Sequence, residues 1–234
     1  MGLFDFFLSE EKQIARHVRR LTNRDSTPED REGSARWLSD KGTPEALVGM
    51  LQRFDLNLEH QLKDSAEKEA VYSLLLGHGK KVLEPAKAWL PRCKQFALPI
   101  KLIGEIEGAA AQLDVALHLL EAEHLKDNFK PEKKKALLVW LADVRNPRCI
   151  EGALPFLSDF DEGVRYAATE VLLAQGESAR EALQAVFSDR PEQSNRLKVR
   201  VAEVFAQKGW RLEDSFSTGL PSSFRLKDGR VLSA

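Results

Sequence analysis

The chain has 234 residues, of which 43% are hydrophobic and 30% charged, a composition that excludes a disordered protein and indicates a folded, well-solvated one. Its 35 basic residues are balanced by 36 acidic ones, so no overall field attracts nucleic acid or an anionic membrane. The longest apolar stretch, residues 109–120, is interrupted by Gln112, Asp114 and His118 and is shorter than the about 20 residues of a membrane-spanning helix.

The beginning of the chain and its two cysteines predict a cytoplasmic location. Residues 1–8 (MGLFDFFL) have neither a basic leader nor a small-residue cleavage site, so we do not expect a signal peptide. Phe6 stands where a myristoylation signal requires Ser or Thr. Cys93 and Cys149 lie far apart within helical patterns, so they form neither a disulfide framework nor a zinc-binding set.

The first predicted elements are three helices. Residues 8–21 form an amphipathic pattern, and we expect residues 1–24 to be a capping helix that precedes the repeats. The sequence Thr27-Pro28-Glu29 is typical of a helix start, because proline lacks an N–H that would go unpaired there, and Gly42 suits the helix end. Thr43-Pro44-Glu45 repeats the start signal, which predicts a second helix antiparallel to the first.

The middle of the chain is predicted from periodicity alone, and the clearest unit follows it. Between residues 57 and 126, apolar residues recur at helical spacing, as in the stripe over 97–106. In the unit 159–187, Asp159 and Asp161 both suit the N-cap of a first helix, and Gly176 ends that helix. A second helix then runs to Phe187.

A small residue recurs at similar positions of the first helices, which predicts a repeat of about 33 residues. Only a small side chain lets neighbouring repeats approach closely, so we expect these residues to pack at the junctions. The row consists of Ala35, Ala70, Ala136, Ala168 and Ala202.

These features resemble HEAT repeats. The sequence Asp161–Gly176 has the acid, Val-Arg pair, small residues and leucines of that pattern, and Val199-Arg200-Val201-Ala202 with Gly209 is similar. Asp30-Arg31 is a looser match. The resemblance covers residues 25–210 and is closest over 130–210. It implies an all-α fold, a right-handed α–α superhelix, or solenoid, of about six helix pairs.

The C-terminal tail, residues 211–234, departs from the helical pattern. Residues 224–233 alternate around Asp228-Gly229, a dipeptide that favours a two-residue type I′ turn. We predict a β-hairpin in which Leu226 faces Val231 and Phe224 faces Ser233. Such an element suits the end of a solenoid, where apolar surface must be covered.

No catalytic or cofactor-binding motif is present: the chain lacks G-x-S-x-G, H-E-x-x-H, G-x-G-x-x-G and the phosphate-binding G-x-x-x-x-G-K-[ST]. The strongest metal candidate is a helix face with Asp114, His118, Glu121 and His124. A di-iron bundle needs a second E-x-x-H pair, and the chain has none. We therefore predict a protein that is not an enzyme and that holds no metal or cofactor.

The predicted function is that of a scaffold or adaptor. Second helices of a solenoid usually line its concave face, and a row of them can bind a protein or peptide partner through several modest contacts. The candidate partner-binding surface consists of Arg53, Lys87, Trp89, His118, Glu121, Glu151 and Gln184.

Nucleic-acid binding is the alternative, because the sequence has basic clusters. One cluster is Arg16, Arg19 and Arg20 on the first helix, and the other is a run of lysines at the start of a later helix: Lys133, Lys134 and Lys135. Some HEAT-like solenoids of this size resemble DNA glycosylases with a basic concave cleft, but the even charge balance opposes duplex binding. HEAT-like hydroxylases need paired His-Glu motifs, and this chain has no His-Glu dipeptide.

Overall fold

The computed structural model describes residues 9–124, 131–188 and 194–234, and most of these residues are helical. The chain divides into two compact units, Met1–Val115 and Ala116–Ala234. The division falls within one helix, and each unit has its own core. Within the described residues, no helix has the length and apolar character needed to cross a membrane.

The first unit is built from helices joined by short turns and 3₁₀ segments. The 3₁₀ segments are Gln52–Asp55, Gly79–Val82 and Leu90–Arg92. The helices are α1 (Glu10–Leu21), α2 (Pro28–Lys41), α3 (Pro44–Leu51), α4 (Gln61–Gly77), α5 (Leu83–Trp89) and α6 (Ala97–Glu107), and α7 (Ala109–His124) begins in this unit.

The predicted starts of α2 and α3 and the predicted end of α2 are confirmed. The Thr27 hydroxyl accepts a hydrogen bond from the Asp30 N–H at 3.1 Å, and Thr43 caps α3 in the same way. Gly42 ends α2 with φ +59°, a conformation that glycine adopts without a steric penalty. These ends are defined by interactions within four residues, so the sequence reports them directly.

Helices α1 and α2 pack against each other in opposite directions. Near the start of α1, Glu10 forms an ion pair with Lys41 at the end of α2, with 3.4 Å between Oε1 and Nζ. Halfway along, the rings of His17 and Trp37 stack with their centroids 4.1 Å apart. The N-terminal end of α1 therefore lies beside the C-terminal end of α2.

The second unit continues the helical arrangement and ends in two strands. Its 3₁₀ segments are Leu154–Ser158, Gly176–Ala179, Ala185–Phe187 and Asp214–Gly219. After α7 come α8 (Glu132–Ala142), α9 (Arg148–Ala153), α10 (Glu162–Ala174), α11 (Arg180–Gln184) and α12 (Asn195–Lys208), followed by β1 (Phe224–Lys227) and β2 (Arg230–Ser233).

The predicted hairpin is confirmed with its register. Phe224 pairs with Ser233 and Leu226 with Val231 in an antiparallel ladder. Asp228 and Gly229 have φ of +52° and +74°, as a type I′ turn requires. The side chain of Val231 is buried, and β2 packs against α12. The hairpin therefore covers one side of the last helix of this unit.

The expected packing role of the small-residue row is wrong at two of its five positions. Ala35, Ala168 and Ala202 are buried in their cores, as expected. Ala70 and Ala136 are exposed. At Ala70 the cause is visible, because α4 leaves a gap beside α2 at this position instead of closing onto it.

Candidate functional site: the groove between α2 and α4

An open groove with a volume of about 770 Å³ lies between α2 and α4 in the first unit. We call it the α2–α4 groove. Its lining consists of Leu21, Pro28, Arg31, Glu32, Ala35, Arg36, Asp40, Arg53, Ala66, Glu67, Ala70, Val71, Ser73 and Leu74.

The spacing of the lining residues shows why these two helices form the walls. Residues 28, 31, 32 and 35 of α2, and residues 67, 70, 71 and 74 of α4, recur at intervals of three or four, so each helix presents one continuous face. Much of that surface is apolar and small, notably Ala35, Ala66 and Ala70. Small side chains leave room for the backbone of another segment to approach closely.

A buried ion pair holds the two walls together below the groove. Arg31 of α2 donates two hydrogen bonds to the Glu67 carboxylate of α4, from Nε to Oε2 at 2.7 Å and from Nη2 to Oε1 at 2.8 Å. The third nitrogen, Nη1, donates to the backbone carbonyls that precede α2, those of Asn23, Arg24 and Ser26. One guanidinium therefore fixes α2, α4 and the turn before α2.

A second arginine enters the same network from the 3₁₀ segment after α3. Arg53 is 0% exposed, and its Nη2 donates to Asp64 at 2.8 Å and to Glu67 at 3.1 Å. Its Nη1 donates to the Leu56 carbonyl at 3.1 Å, while its Nε has no hydrogen-bond partner within the described residues. Lys68 completes the network with an ion pair to Asp64 at 2.7 Å.

The carboxylates of this network remain ionised at physiological pH. Burial acts to raise the pKa of Glu67, but the hydrogen bonds from Arg31 and Arg53 outweigh it, so its pKa lies below the ordinary value. Burial likewise acts to raise the pKa of Asp64, and Lys68 and Arg53 outweigh it in the same way. The groove therefore rests on a fixed and charged base.

The groove offers apolar contact and shape, and its charged groups are paired within the protein. The strongly basic and acidic groups at its base are engaged with one another. Elsewhere, burial raises the pKa of the Cys149 thiol, which opposes formation of a nucleophilic thiolate. Among the described residues, no group of three His, Cys, Asp or Glu side chains could hold a metal ion.

The second unit has a comparable groove between α8 and α10, with a volume of about 610 Å³. Its lining includes the exposed side chain of Val139 and the ring of Tyr166. The guanidinium of Arg196 lies 5.6 Å from the centroid of that ring. An apolar groove between two helices is thus found in each unit.

Three residues of the predicted partner-binding surface are buried, so the prediction is wrong at these positions. Arg53 turns into the ionic network, Trp89 is buried in the core of the first unit, and Gln184 is buried in the second. The Gln184 amide oxygen accepts a hydrogen bond from the Glu213 N–H at 2.8 Å, which satisfies it inside the protein. A polar side chain at helical spacing can face inward when a distant segment supplies its partner.

The other predicted surface residues are accessible but are not part of the groove. Lys87 is half-buried and forms an ion pair with Glu107 at 2.8 Å. His118, Glu121 and Glu151 are exposed in the second unit. Of the predicted partner-binding residues, only Arg53 lines the α2–α4 groove, and its side chain is buried in the ionic network at the base.

The residues of the two predicted basic clusters differ in their exposure to solvent. Arg19 and Lys135 are exposed, whereas Arg16 and Arg20 are half-buried. Lys134 of the predicted basic cluster is only 8% exposed, so it does not belong to an accessible basic surface. Its ammonium lies 3.0 Å from the Asp159 carboxylate, because α8 packs directly against the turn before α10. Lys133 is half-buried, with 3.6 Å from its ammonium to the Glu123 carboxylate.

Sequence reasoning missed the roles of Arg31 and Glu67, although a signal for Arg31 was present. Arg31 matches the repeat pattern only loosely, and Arg165 is the corresponding residue in the clearest unit. Nη1 of Arg165 donates to the carbonyls of Asp159 and Phe160 at 2.7 and 2.9 Å. Each buried arginine therefore holds the turn that precedes its own helix. An arginine at this position of the repeat pattern therefore indicates a contact with the preceding turn. No feature of the sequence marks Glu67 as the partner of Arg31.

Fold and groove define a class: a mostly helical protein with a C-terminal β-hairpin and an apolar groove between two of its helices. No protein-family model matches the chain. A search of curated proteins finds no match either.

Proposed function

We propose that this chain is a non-enzymatic scaffold of the HEAT-like solenoid kind, which binds a protein or peptide partner in the α2–α4 groove. The observation that carries the proposal is the combination of small apolar walls with a buried ionic base. Such a base keeps the two walls at a fixed separation, so little conformational entropy is lost when a ligand binds. The ligand is an apolar segment of the partner.

The dimensions of the groove suit a short helix or an extended peptide. Helix α2 has 14 residues, which corresponds to a length of about 21 Å. An amphipathic helix of similar length can lie along the groove and bury its apolar stripe, whose residues recur at intervals of three and four. The exposed Ala66 and Ala70 allow its backbone to come close to α4.

The proposed binding site lies between α2 and α4, and not on the row of second helices that the sequence analysis predicts. The burial of Arg53, Trp89 and Gln184 supports this location, because buried side chains offer a partner no contact area.

Nucleic-acid binding finds no support in these features. Lys134 forms an ion pair with Asp159. The lining of the groove has three basic and three acidic side chains: Arg31, Arg36 and Arg53, and Glu32, Asp40 and Glu67. Phosphate binding requires a cationic surface that is concentrated and accessible.

The test is site-specific photo-crosslinking in the native host. A photoreactive amino acid replaces Ser73, an exposed residue in the lining of the groove, or Ala88, an exposed residue of α5 outside it. We expect a discrete crosslinked partner from position 73 and none from position 88. Adding Ala70→Trp, which fills the groove, should abolish the product from position 73.

A circular-dichroism melting curve controls for folding, because Ala70 is exposed and its replacement should leave the thermal stability unchanged. Equal crosslinking with and without Ala70→Trp would show that the partner does not occupy the groove.

A further inference from the structure

We propose that two copies of this chain associate through one face of the second unit, so that Phe160 of each copy lies in the groove between α8 and α10 of the other. We call this receptor the α8–α10 groove. The inference is independent of the proposed function of the α2–α4 groove, because it uses the contacts of the second unit.

The anchor of this contact is an aromatic ring that lies in solvent. The side chain of Phe160 is 95% exposed, in the turn between the 3₁₀ segment Leu154–Ser158 and α10. Aromatic residues are enriched at the buried centres of protein interfaces, where a few large side chains supply most of the binding energy. Covering this ring removes a large apolar surface from water, which favours association.

The turn that carries Phe160 is held on both sides of this residue. Nη1 of Arg165 donates to the carbonyls of Asp159 and Phe160. The Asp159 carboxylate accepts a hydrogen bond from the Asp161 N–H at 3.0 Å and forms an ion pair with Lys134 of α8 at 3.0 Å. The backbone around the ring is thus ordered before any contact forms, so association costs little conformational entropy there.

The turn does not need the ring for its own structure. In the turn before α2, Arg31 donates to the carbonyl of Ser26, five residues before it, as Arg165 does to the carbonyl of Phe160. A serine therefore suffices at the equivalent position of the first unit. The ring of Phe160 takes no part in the hydrogen bonds that form its turn, which leaves its apolar surface to an outside contact.

The receptor lies beside the anchor. Asp159, which precedes Phe160, is bound to Lys134, and the next residue of α8, Lys135, lines the α8–α10 groove. Glu162, two residues after Phe160, lines the same groove. One face of the second unit therefore presents both a protruding ring and a groove.

This arrangement selects a second copy as the occupant. In a two-fold symmetric interface the same patch occurs on both sides, so each copy must supply both halves of the contact. A patch with a groove alone, or with an exposed ring alone, would need a different protein as its complement. The face that carries Phe160 and the α8–α10 groove complements itself.

The walls of the α8–α10 groove suit an aromatic ring. The volume of the groove is about 610 Å³, and its apolar surface comes from Val139, Ala142, Tyr166 and Ala167. Val139 is exposed and Tyr166 is half-buried. A phenylalanine ring packs favourably edge-to-face or offset against a tyrosine ring. The groove thus offers the incoming ring one aliphatic and one aromatic surface.

The charges of this face also complement one another. The Glu170 carboxylate of the groove pairs with Arg200, with 3.2 Å between Oε1 and Nε. The other charged lining residues are two cations and two carboxylates: Lys135, Arg196, Asp143 and Glu162. When Phe160 enters the groove of the second copy, Glu162 approaches the partner's Lys135 and the partner's Arg196. Opposite charges then meet across the interface, which favours this pairing over a contact between like charges.

Sedimentation velocity over a range of protein concentrations tests the association. The parent chain should show a reversible monomer–dimer equilibrium without larger species, because a two-fold contact closes on itself. Phe160→Ser, which introduces the residue type found at position 26, should raise the dimer dissociation constant by about a hundredfold, since each dimer loses two buried rings. Leu62→Ser is the matched control at an exposed apolar residue of the first unit, and it should leave the equilibrium unchanged.

A mixing experiment tests whether the ring and the α8–α10 groove meet each other. Val139→Arg fills the groove with a long charged side chain and should weaken the homodimer as much as Phe160→Ser does. A mixture of the two variants, one of them fluorescently labelled, should form a heterodimer about tenfold stronger than either homodimer. The heterodimer keeps one intact contact, with Phe160 of one variant in the unaltered groove of the other.

Circular-dichroism melting of each variant controls for folding. Phe160, Val139 and Leu62 are all exposed, so their replacement should leave the thermal stability unchanged.

A parent chain that stays monomeric at every concentration would overturn the inference, as would a dimer that Phe160→Ser leaves intact. Species larger than a dimer would show a head-to-tail contact instead of the reciprocal one. Equal weakening by Leu62→Ser would mean that association does not depend on this face. A mixture that forms no heterodimer would show that Phe160 does not occupy the α8–α10 groove, which contradicts the proposed contact.

Discussion

The guanidinium of Arg31 and the carboxylate of Glu67 meet through two parallel hydrogen bonds of 2.7 and 2.8 Å, which join α2 to α4 across the base of the groove. Arg53 shares the same carboxylate at 3.1 Å. Glu67 therefore balances two guanidinium groups that are almost completely buried. The geometry of the groove depends on this one side chain.

Glu67→Gln is expected to destabilise the protein by about 3–5 kcal/mol, because it leaves two buried cations without their shared counter-charge. Urea unfolding followed by circular dichroism measures the change. Glu32→Gln is the matched control, since Glu32 forms an exposed pair with Arg36 and its loss should cost less than about 1 kcal/mol. Comparable losses from the two variants would contradict the central role of Glu67.

Stability should fall in acid because of the same network. The pKa of Glu67 and the pKa of Asp64 lie below their ordinary values in the folded protein. The unfolded state therefore takes up protons first, and the stabilisation present at neutral pH declines as the pH falls below about 4.3 through the folded pKa values. In Glu67→Gln, the decline of unfolding free energy between pH 5 and 3 should be shallower. An unchanged slope would rule out Glu67 as a contributor.

His17 should add a dependence at higher pH. Burial, followed by the charges of Arg20 and Arg16, lowers the pKa of His17 in the folded protein. As pH falls through about 6.5, the unfolded chain binds a proton that the folded protein resists, so stability decreases. Melting temperatures at pH 7.5 and 5.5 should differ less in His17→Gln than in the parent chain. His118→Gln, at an exposed histidine, should leave the difference unchanged.

Packing at two alanines provides a test of the groove itself. Ala168→Leu should overpack the core of the second unit and destabilise by about 1–3 kcal/mol, since Ala168 is 0% exposed. Ala70→Leu enters the open α2–α4 groove and should change stability by less than about 0.5 kcal/mol. Chemical denaturation of the two variants makes the comparison. A large loss at Ala70 would mean that the groove closes in solution.

Duplex DNA and RNA should bind only weakly, with dissociation constants in the micromolar range or above at physiological salt, because accessible cations are diluted by carboxylates. Fluorescence anisotropy over a salt titration measures this. Charge reversal at Arg16, Arg19 and Arg20 should have little effect on the affinity. Tight and salt-sensitive binding that is lost with Lys135→Glu would instead favour nucleic acid as the partner.

The sequence alone determines both ends of α2, the start of α3 and the hairpin. Thr27, Pro28 and Gly42 set the ends of α2, and Asp228-Gly229 sets the register of the hairpin. Each of these signals acts within about four residues of the chain, through a backbone conformation or a capping hydrogen bond. Local interactions of this kind can be recognised without knowledge of the fold.

The candidate site was decided by the tertiary structure. Arg53 and Gln184 have the polar character of surface residues, and they are buried because Glu67 and Glu213, distant in sequence, supply their partners. Ala70 has the character of a packing residue, and it is exposed because α4 stands apart from α2. Helical periodicity fixes which residues share a face, but the separation of two helices depends on contacts between distant segments, such as the one between Arg31 and Glu67.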